Sequence, residues 1–213
     1  MDSAVCLAIA RARGFECHAL SFQYGQRHAS ELEAAQAVAA SIGVAEHRLV
    51  DIDLRAFGGS ALTDDIDVPV DRTATEIGGD IPVTYVPARN TVFLSYALAH
   101  AEVIGAQDIY IGVNAVDFSG YPDCRPSFIA AFQATARLGT RLTELTIRAP
   151  LLQLTKREII AKGQSLGVDL GLTRSCYAPA EVGRSCGRCD ACLLRLGAFR
   201  ELGIVDPAPY VSS

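Results

Sequence analysis

Strands that alternate with helices of 10–15 residues predict an α/β fold: a parallel, doubly wound sheet with helices on both faces. Three observations carry this prediction. Two capping boxes, Ser30 with Glu33 and Thr155 with Glu158, announce helix starts. Four short segments rich in β-formers fall between the helices: FECHALSF (15–22), HRLVDI (47–52), DIYIGV (108–113) and LTIRAPL (145–151). Hydrophobic residues make up 50% of the 213 positions and charged residues 20%, which excludes intrinsic disorder and supplies a full core.

The elements follow in order. AVCLAIA, from residue 4, is apolar on every side and reads as a helix buried between layers. In a doubly wound sheet such a helix follows a central strand, and no strand precedes it here. The expectation is therefore a domain that lacks its first strand, through truncation or an internal start. The helix after Ser30 carries Leu32, Ala35, Ala39 and Ile42 as its apolar stripe and stops at Gly43. A helix over roughly 90–104 places Val92, Tyr96, Ala99 and Val103 on one face, which the pattern assigns to the core. A further helix starts at Pro126, where proline suits the first turn. The helix opened by Thr155 ends near Gly167. Residues 58–87 break the rhythm with Gly, Pro and Asp, and a stretch of this length reads as a functional loop or lid. Two units are expected: residues 1–170 as the α/β domain and 171–213 as a small C-terminal metal-binding segment.

Charge and hydropathy narrow the function classes. The net charge of −5 argues against a broad nucleic-acid footprint. No apolar run approaches the ~18 residues of a membrane span, and the first residues do not read as a signal peptide. The seven cysteines are odd in number, and four fall between 176 and 192, so a reducing, cytoplasmic setting with a metal is expected rather than a disulfide framework.

Candidate functional residues gather in four places. Cys176-x₉-Cys186-x₂-Cys189-x₂-Cys192 offers four thiolates, enough for a closed tetrahedral Zn²⁺ site, with an iron–sulfur cluster as the alternative. The last two sit near a helix start, whose positive end favours thiolate. Thr155-Lys156 opens a helix, where backbone N–H groups attract anions and Lys156 adds charge; Lys162 is the only other lysine. Arg89 offers a fork for phosphate or carboxylate, and Asn90 offers donors and an acceptor. The loop NAVDFSGYPDCRP follows a strand at the carboxyl edge of the sheet, where doubly wound folds bind ligands. It presents Asp117, Ser119, Tyr121, Asp123 and Arg125. The carboxylates can accept N–H groups of a ligand, and Arg125 can meet an anion. His18, His28, His47 and His100 form no readable catalytic arrangement and read as structural groups.

Asp2 and Ser3 before the buried helix resemble the end of the Ser-Gly-Gly-x-Asp-Ser phosphate loop of the PP-loop ATP pyrophosphatases, with Met1 at the variable position. YGQRH (24–28), GGSALTDD (58–65), YVPARNTVFLSYALAHAE (85–102), IGVNAVDFSGYPDCRP (111–126), APLLQLTKREII (149–160) and SCYAP…CGRCDACLLR (175–195) occur in one order. Together they resemble the 7-cyano-7-deazaguanine synthase family across essentially the whole chain. The departure is at the front, where the strand and Ser-Gly-Gly of the family are absent from this sequence. The resemblance implies an ATP-dependent ligase that converts 7-carboxy-7-deazaguanine and ammonia to the 7-cyano compound, with Mg²⁺ on the phosphates. It implies ATP at Met1, Asp2, Ser3 and Lys156, and structural zinc on the four cysteines. It assigns the deazaguanine substrate to Arg89, Asn90, Asp117, Asp123 and Arg125. It further implies a homodimer. The alternatives are a PP-loop tRNA-modifying thiolase with an iron–sulfur cluster, and an inactive zinc-containing binding protein whose phosphate loop is incomplete.

Overall fold

A computed structural model describes residues 1–26, 30–77, 81–115, 120–179 and 183–211. The elements run α1 (Asp2–Ala12), β1 (His18–Gln23), α2 (Ser30–Ile42), β2 (Glu46–Asp51), α3 (Ala74–Ile77), α4 (Arg89–Ile104), β3 (Asp108–Tyr110), α5 (Pro126–Gly139), β4 (Thr146–Arg148), α6 (Lys156–Ser165) and α7 (Asp190–Glu201). Strand–helix alternation and parallel pairing agree with the predicted α/β class. Among the described residues the strands form two parallel pairs, β1–β2 and β3–β4, where one sheet was expected. A cavity of about 690 Å³ lies between the pairs, lined by β1 on one side and β3 on the other.

Helix α1 is buried as its composition requires. Ala4, Val5, Cys6, Ala8, Ile9 and Ala10 are buried, and all but Ala10 share a cluster with Ile159 and Ile160 of α6 and Phe199 of α7. Gly163 lets α6 come close: a Cβ there would lie 2.9 Å from a Val5 methyl. The second core joins α4, β3, α5 and β4 around Leu94, Ile109, Ile129, Leu145 and Ile147. In α2, Ala39 is buried and Leu32, Ala35 and Ile42 half-buried, as the stripe predicted.

The α4 stripe is a correction. Tyr96, Ala99 and Val103 point outward, Val103 being 81% exposed, while Leu94 and Ala101 face the core. Apolar residues surround most of this helix, so periodicity alone could not choose the face; the bulky partners Ile109 and Leu145 did.

Candidate functional site

The cavity runs the length of β1 and β3, and one end of it is built from the carboxyl ends of the strands. Residues 111–114 follow β3, Tyr24 and Gln26 follow β1, and Lys156 opens the helix after β4; all line the cavity together with Asp2, Ser3, Arg89 and Asn90. This is the edge at which parallel α/β sheets bind ligands. Backbone bonds hold its floor: Ile111 N–H donates to Arg148 O, 2.9 Å, and Ala115 N–H to Leu152 O, 3.2 Å. The Asn114 amide donates to Leu154 O, tying the loop after β3 to the start of α6.

Lys156 and Asp2 meet in this cleft. Lys156 Nζ donates to Asp2 Oδ2 at 2.6 Å, and both side chains are largely buried. Asp2 Oδ1 is buried with no hydrogen-bond partner, an acceptor left open toward a further ligand. The start of α6 is less open to anions than the sequence suggested. Its capping box is formed: Glu158 N–H donates to Thr155 Oγ1, 3.3 Å, and Thr155 N–H to Glu158 Oε2, 2.8 Å. A carboxylate thus occupies part of the helix terminus, and Lys156, the positive charge there, is itself paired with Asp2.

Arg89, half-buried, lies with its guanidinium 5.7 Å from the Tyr24 ring centroid and 6.0 Å from that of Phe93. Burial pushes the Tyr24 and Tyr177 hydroxyls up from their ordinary pKa, so both remain neutral donors beside it. Burial likewise raises the Glu31 carboxyl, against the pull of Arg89. Tyr24, Glu31 and Tyr177 had no predicted role; Tyr24 lies in YGQRH and Tyr177 in SCYAP, segments that carried the family resemblance but no spacing that singles out these residues.

Asn90 and Asp123 are brought together, but in support of the fold. Asp123 Oδ2 accepts from Asn90 N–H at 2.9 Å, capping α4 from a distant loop, and the Asn90 amide donates to Asp123 O at 3.2 Å. Asp123 and Arg125 do not line the cavity, and Arg125 is exposed at the start of α5. Asp117 and Ser119 lie outside the described residues.

Gly112 was not singled out from the sequence. A Cβ there would lie 2.8 Å from Ser3 N and 2.9 Å from Ser3 Cα, so only glycine lets the first turn of α1 rest against the loop after β3. Gly112→Ala should displace Asp2 from Lys156 and lower kcat/KM about tenfold with the fold intact; steady-state kinetics and circular dichroism check this.

The four cysteines converge. Their Sγ atoms lie within 4.8 Å of one another, and Cys176, Cys189 and Cys192 are buried. Backbone N–H groups point at the sulfurs, from Cys186 to Cys176 at 3.2 Å, from Cys189 to Cys186 at 3.3 Å and from Tyr177 to Cys189 at 3.4 Å. These donors favour thiolate and offset its charge. The donor set can bind a soft divalent metal ion. Cys189 also caps α7.

The irregular segment 58–87 is anchored to this centre. Val70 bridges Cys189, Asp71 N–H donates to Arg188 O at 2.9 Å, and Arg72 grips the buried Asp190 carboxylate with two N–H groups. Cys6 and Cys124 lie elsewhere, and burial raises each thiol to about 12, which removes them as nucleophiles.

A parallel α/β unit with a charged cleft at its carboxyl edge and a separate thiolate centre defines an enzyme of small-molecule chemistry. The model of the Queuosine biosynthesis protein QueC family matches residues 1–203, and the chain belongs to that family. It is similar to the 7-cyano-7-deazaguanine synthase of Kineococcus radiotolerans, 60% identical over 214 residues that cover 99% of this chain and 93% of that protein. The Geobacter sulfurreducens protein of the same name is 59% identical over 217 residues, covering 100% and 90%. That of Paramagnetospirillum magneticum is 58% identical over 216 residues, covering 100% and 95%. These relatives favour neither the thiolase nor the inactive binding protein. No helix among the described residues is long and apolar enough to cross a membrane.

Proposed function

We infer that the chain makes 7-cyano-7-deazaguanine in queuosine biosynthesis, from 7-carboxy-7-deazaguanine, ammonia and ATP. The observation that carries this reading is the cavity of about 690 Å³ with the Lys156–Asp2 pair and Arg89 on its walls. The end of the cavity at the carboxyl edge, where these charges lie, is the place for a nucleotide. Family membership supplies the reaction. The substrate carboxylate attacks the α-phosphorus of ATP and pyrophosphate leaves. Ammonia then attacks the carbonyl carbon and displaces AMP, giving the amide. The amide oxygen is adenylated by a second ATP, and loss of AMP and a proton leaves the nitrile.

The protein's part is positioning and electrostatics. Lys156 holds the departing pyrophosphate, and Ser3, exposed at the first turn of α1, borders the phosphate path with Met1. Arg89 forks toward the anionic substrate, oriented by Tyr24 and Phe93. Asn90 and Asp123 fix the start of α4 and hence Arg89. The loop 114–126 carries base recognition, with Asp117 as the carboxylate that accepts from the base. Mg²⁺ fits this site because the unpartnered Asp2 Oδ1 is a buried hard-oxygen ligand. Asp2 would hold the ion, which offsets charge on the phosphates. The cysteine centre fits structural Zn²⁺: four sulfurs leave no position for substrate. Residues 1–170 form the nucleotide-binding unit, whose two strand pairs are halves of one doubly wound PP-loop sheet, and residues 171–213 the zinc segment. The enzyme acts as a cytoplasmic homodimer.

Lys156→Ala tests the assignment. It should lower kcat/KM for ATP about 10²-fold while affinity for the carboxylate substrate stays within a few-fold. Steady-state kinetics against each substrate separate the two effects. An unchanged ATP dependence would move pyrophosphate binding away from Lys156.

A further inference from the structure

At the amino ends of β1 and β2, at the far end of the same cavity from Lys156, three side chains from three elements converge. His18 is the first residue of β1, Glu46 the first of β2, and the two are register partners. His100 reaches them from the last turns of α4. His18 Nδ1 lies 3.4 Å from Glu46 Oε2, and His100 Nε2 lies 3.9 Å from the same oxygen. All three ligand atoms fall within 4.8 Å of one another. His100 Nε2 is buried and makes no hydrogen bond. It faces the carboxylate without donating to it.

We propose that His18, Glu46 and His100 form a second metal site, for a divalent first-row transition ion such as Zn²⁺, Co²⁺ or Ni²⁺. Two imidazoles and one carboxylate suit these ions, whose bonds to N and O of about 2.0–2.2 Å place neighbouring ligand atoms roughly 3.4 Å apart. The observed spacings therefore need only small rotations. The outer contacts are those of a ligand set. Glu16 Oε1 lies 3.5 Å from His18 Nε2, the nitrogen turned away from the cluster, so the ring's outer N–H has a carboxylate that fixes Nδ1 as the ligand. Arg48 Nε donates to Glu46 Oε1 at 2.7 Å, which leaves Oε2 for the ion. The Arg48 charge opposes a cation, and the Glu46 and Glu16 carboxylates together offset it. Glu46 is about a third exposed, so water completes the coordination. The ion clamps β1, β2 and α4 together. Its N/O donor set also separates it chemically from the thiolate centre.

The test uses the full chain with its thiolate centre already loaded with zinc. Co²⁺ is titrated in, and bound metal per chain is counted by equilibrium dialysis and elemental analysis. Wild-type protein should take up one further ion per chain, with ligand-field bands but no thiolate charge-transfer band. Glu46→Gln and His100→Ala should each weaken that uptake at least about tenfold. Glu46→Gln is nearly isosteric at a partly exposed position, so it reads the ligand role even if His100→Ala unfolds. No additional Co²⁺ in wild-type protein, an added ion that carries thiolate bands, or uptake by Glu46→Gln equal to wild type would each overturn the site.

Discussion

Replacing Cys189 with Ser should reduce bound metal from about one ion per chain to less than about a tenth and unfold the C-terminal segment. Cys189 is fully buried, its Sγ accepts from Tyr177 N–H, and its backbone caps α7 and bridges Val70. A hydroxyl is a poorer, harder ligand and resists the deprotonation that the site needs. Structural zinc contributes roughly 10–16 kcal/mol in small domains, against a whole-domain stability of about 5–15 kcal/mol, so even a partial loss is decisive. Elemental analysis and a thermal melt read the two effects separately. Iron with labile sulfide in the wild-type protein would replace zinc by a cluster. Retention of the ion by the Ser variant would remove Cys189 from the ligand set.

Arg195→Leu should cost about 3–5 kcal/mol, which for a chain of this size lowers Tm by roughly 6–20 °C. Arg195 is 2% exposed and forks onto Asp206, Nε to Oδ2 at 2.7 Å and Nη2 to Oδ1 at 2.9 Å. It also donates to Thr173 Oγ1 at 2.7 Å and Leu170 O at 2.9 Å. Removing the cation leaves a buried carboxylate with only Tyr210 and the Ala208 N–H as partners. Arg195→Leu with Asp206→Leu should recover part of the loss, because the unpaired charge goes too. Arg188→Leu breaks the pair with Asp71, whose two side chains are more than half exposed, and should leave Tm unmoved. Acid should act on the same pair. Burial works against the Asp206 carboxylate, but the Arg195 fork and Tyr210 win and hold its pKa below the ordinary value. Its contribution is therefore present above the unfolded value of about 3.9 and is lost as pH falls through the folded one. The Arg195→Leu variant should lose less stability than wild type over that acid range.

What the sequence disclosed was local. Thr155 and Glu158 signal their capping box because its partners are three residues apart. AVCLAIA discloses a buried helix because no face of it is polar. The four cysteines fall within one short segment, so their convergence could be read directly. Other features join residues distant in sequence and have no period. Arg72 and Asp190 are 118 positions apart, and Asn90 and Asp123 are 33. Gly112 looked like one glycine among 18, since what it makes room for is the backbone at Ser3. The histidines looked isolated because parallel pairing, which sets His18 beside Glu46, is a tertiary event. The core face of α4 was misread for the same reason.

The anchoring of segment 58–87 has a consequence for how the molecule opens. Val70, Asp71 and Arg72 are fastened to Arg188, Cys189 and Asp190, next to the sulfurs. Amide protons of residues 70–72, 185 and 189 should therefore exchange with solvent at one shared rate, as a single cooperative unit that breathes apart from the α1–α6 core. Chelation should accelerate all of them together while the amides of Ile159 and Ile160 keep their protection.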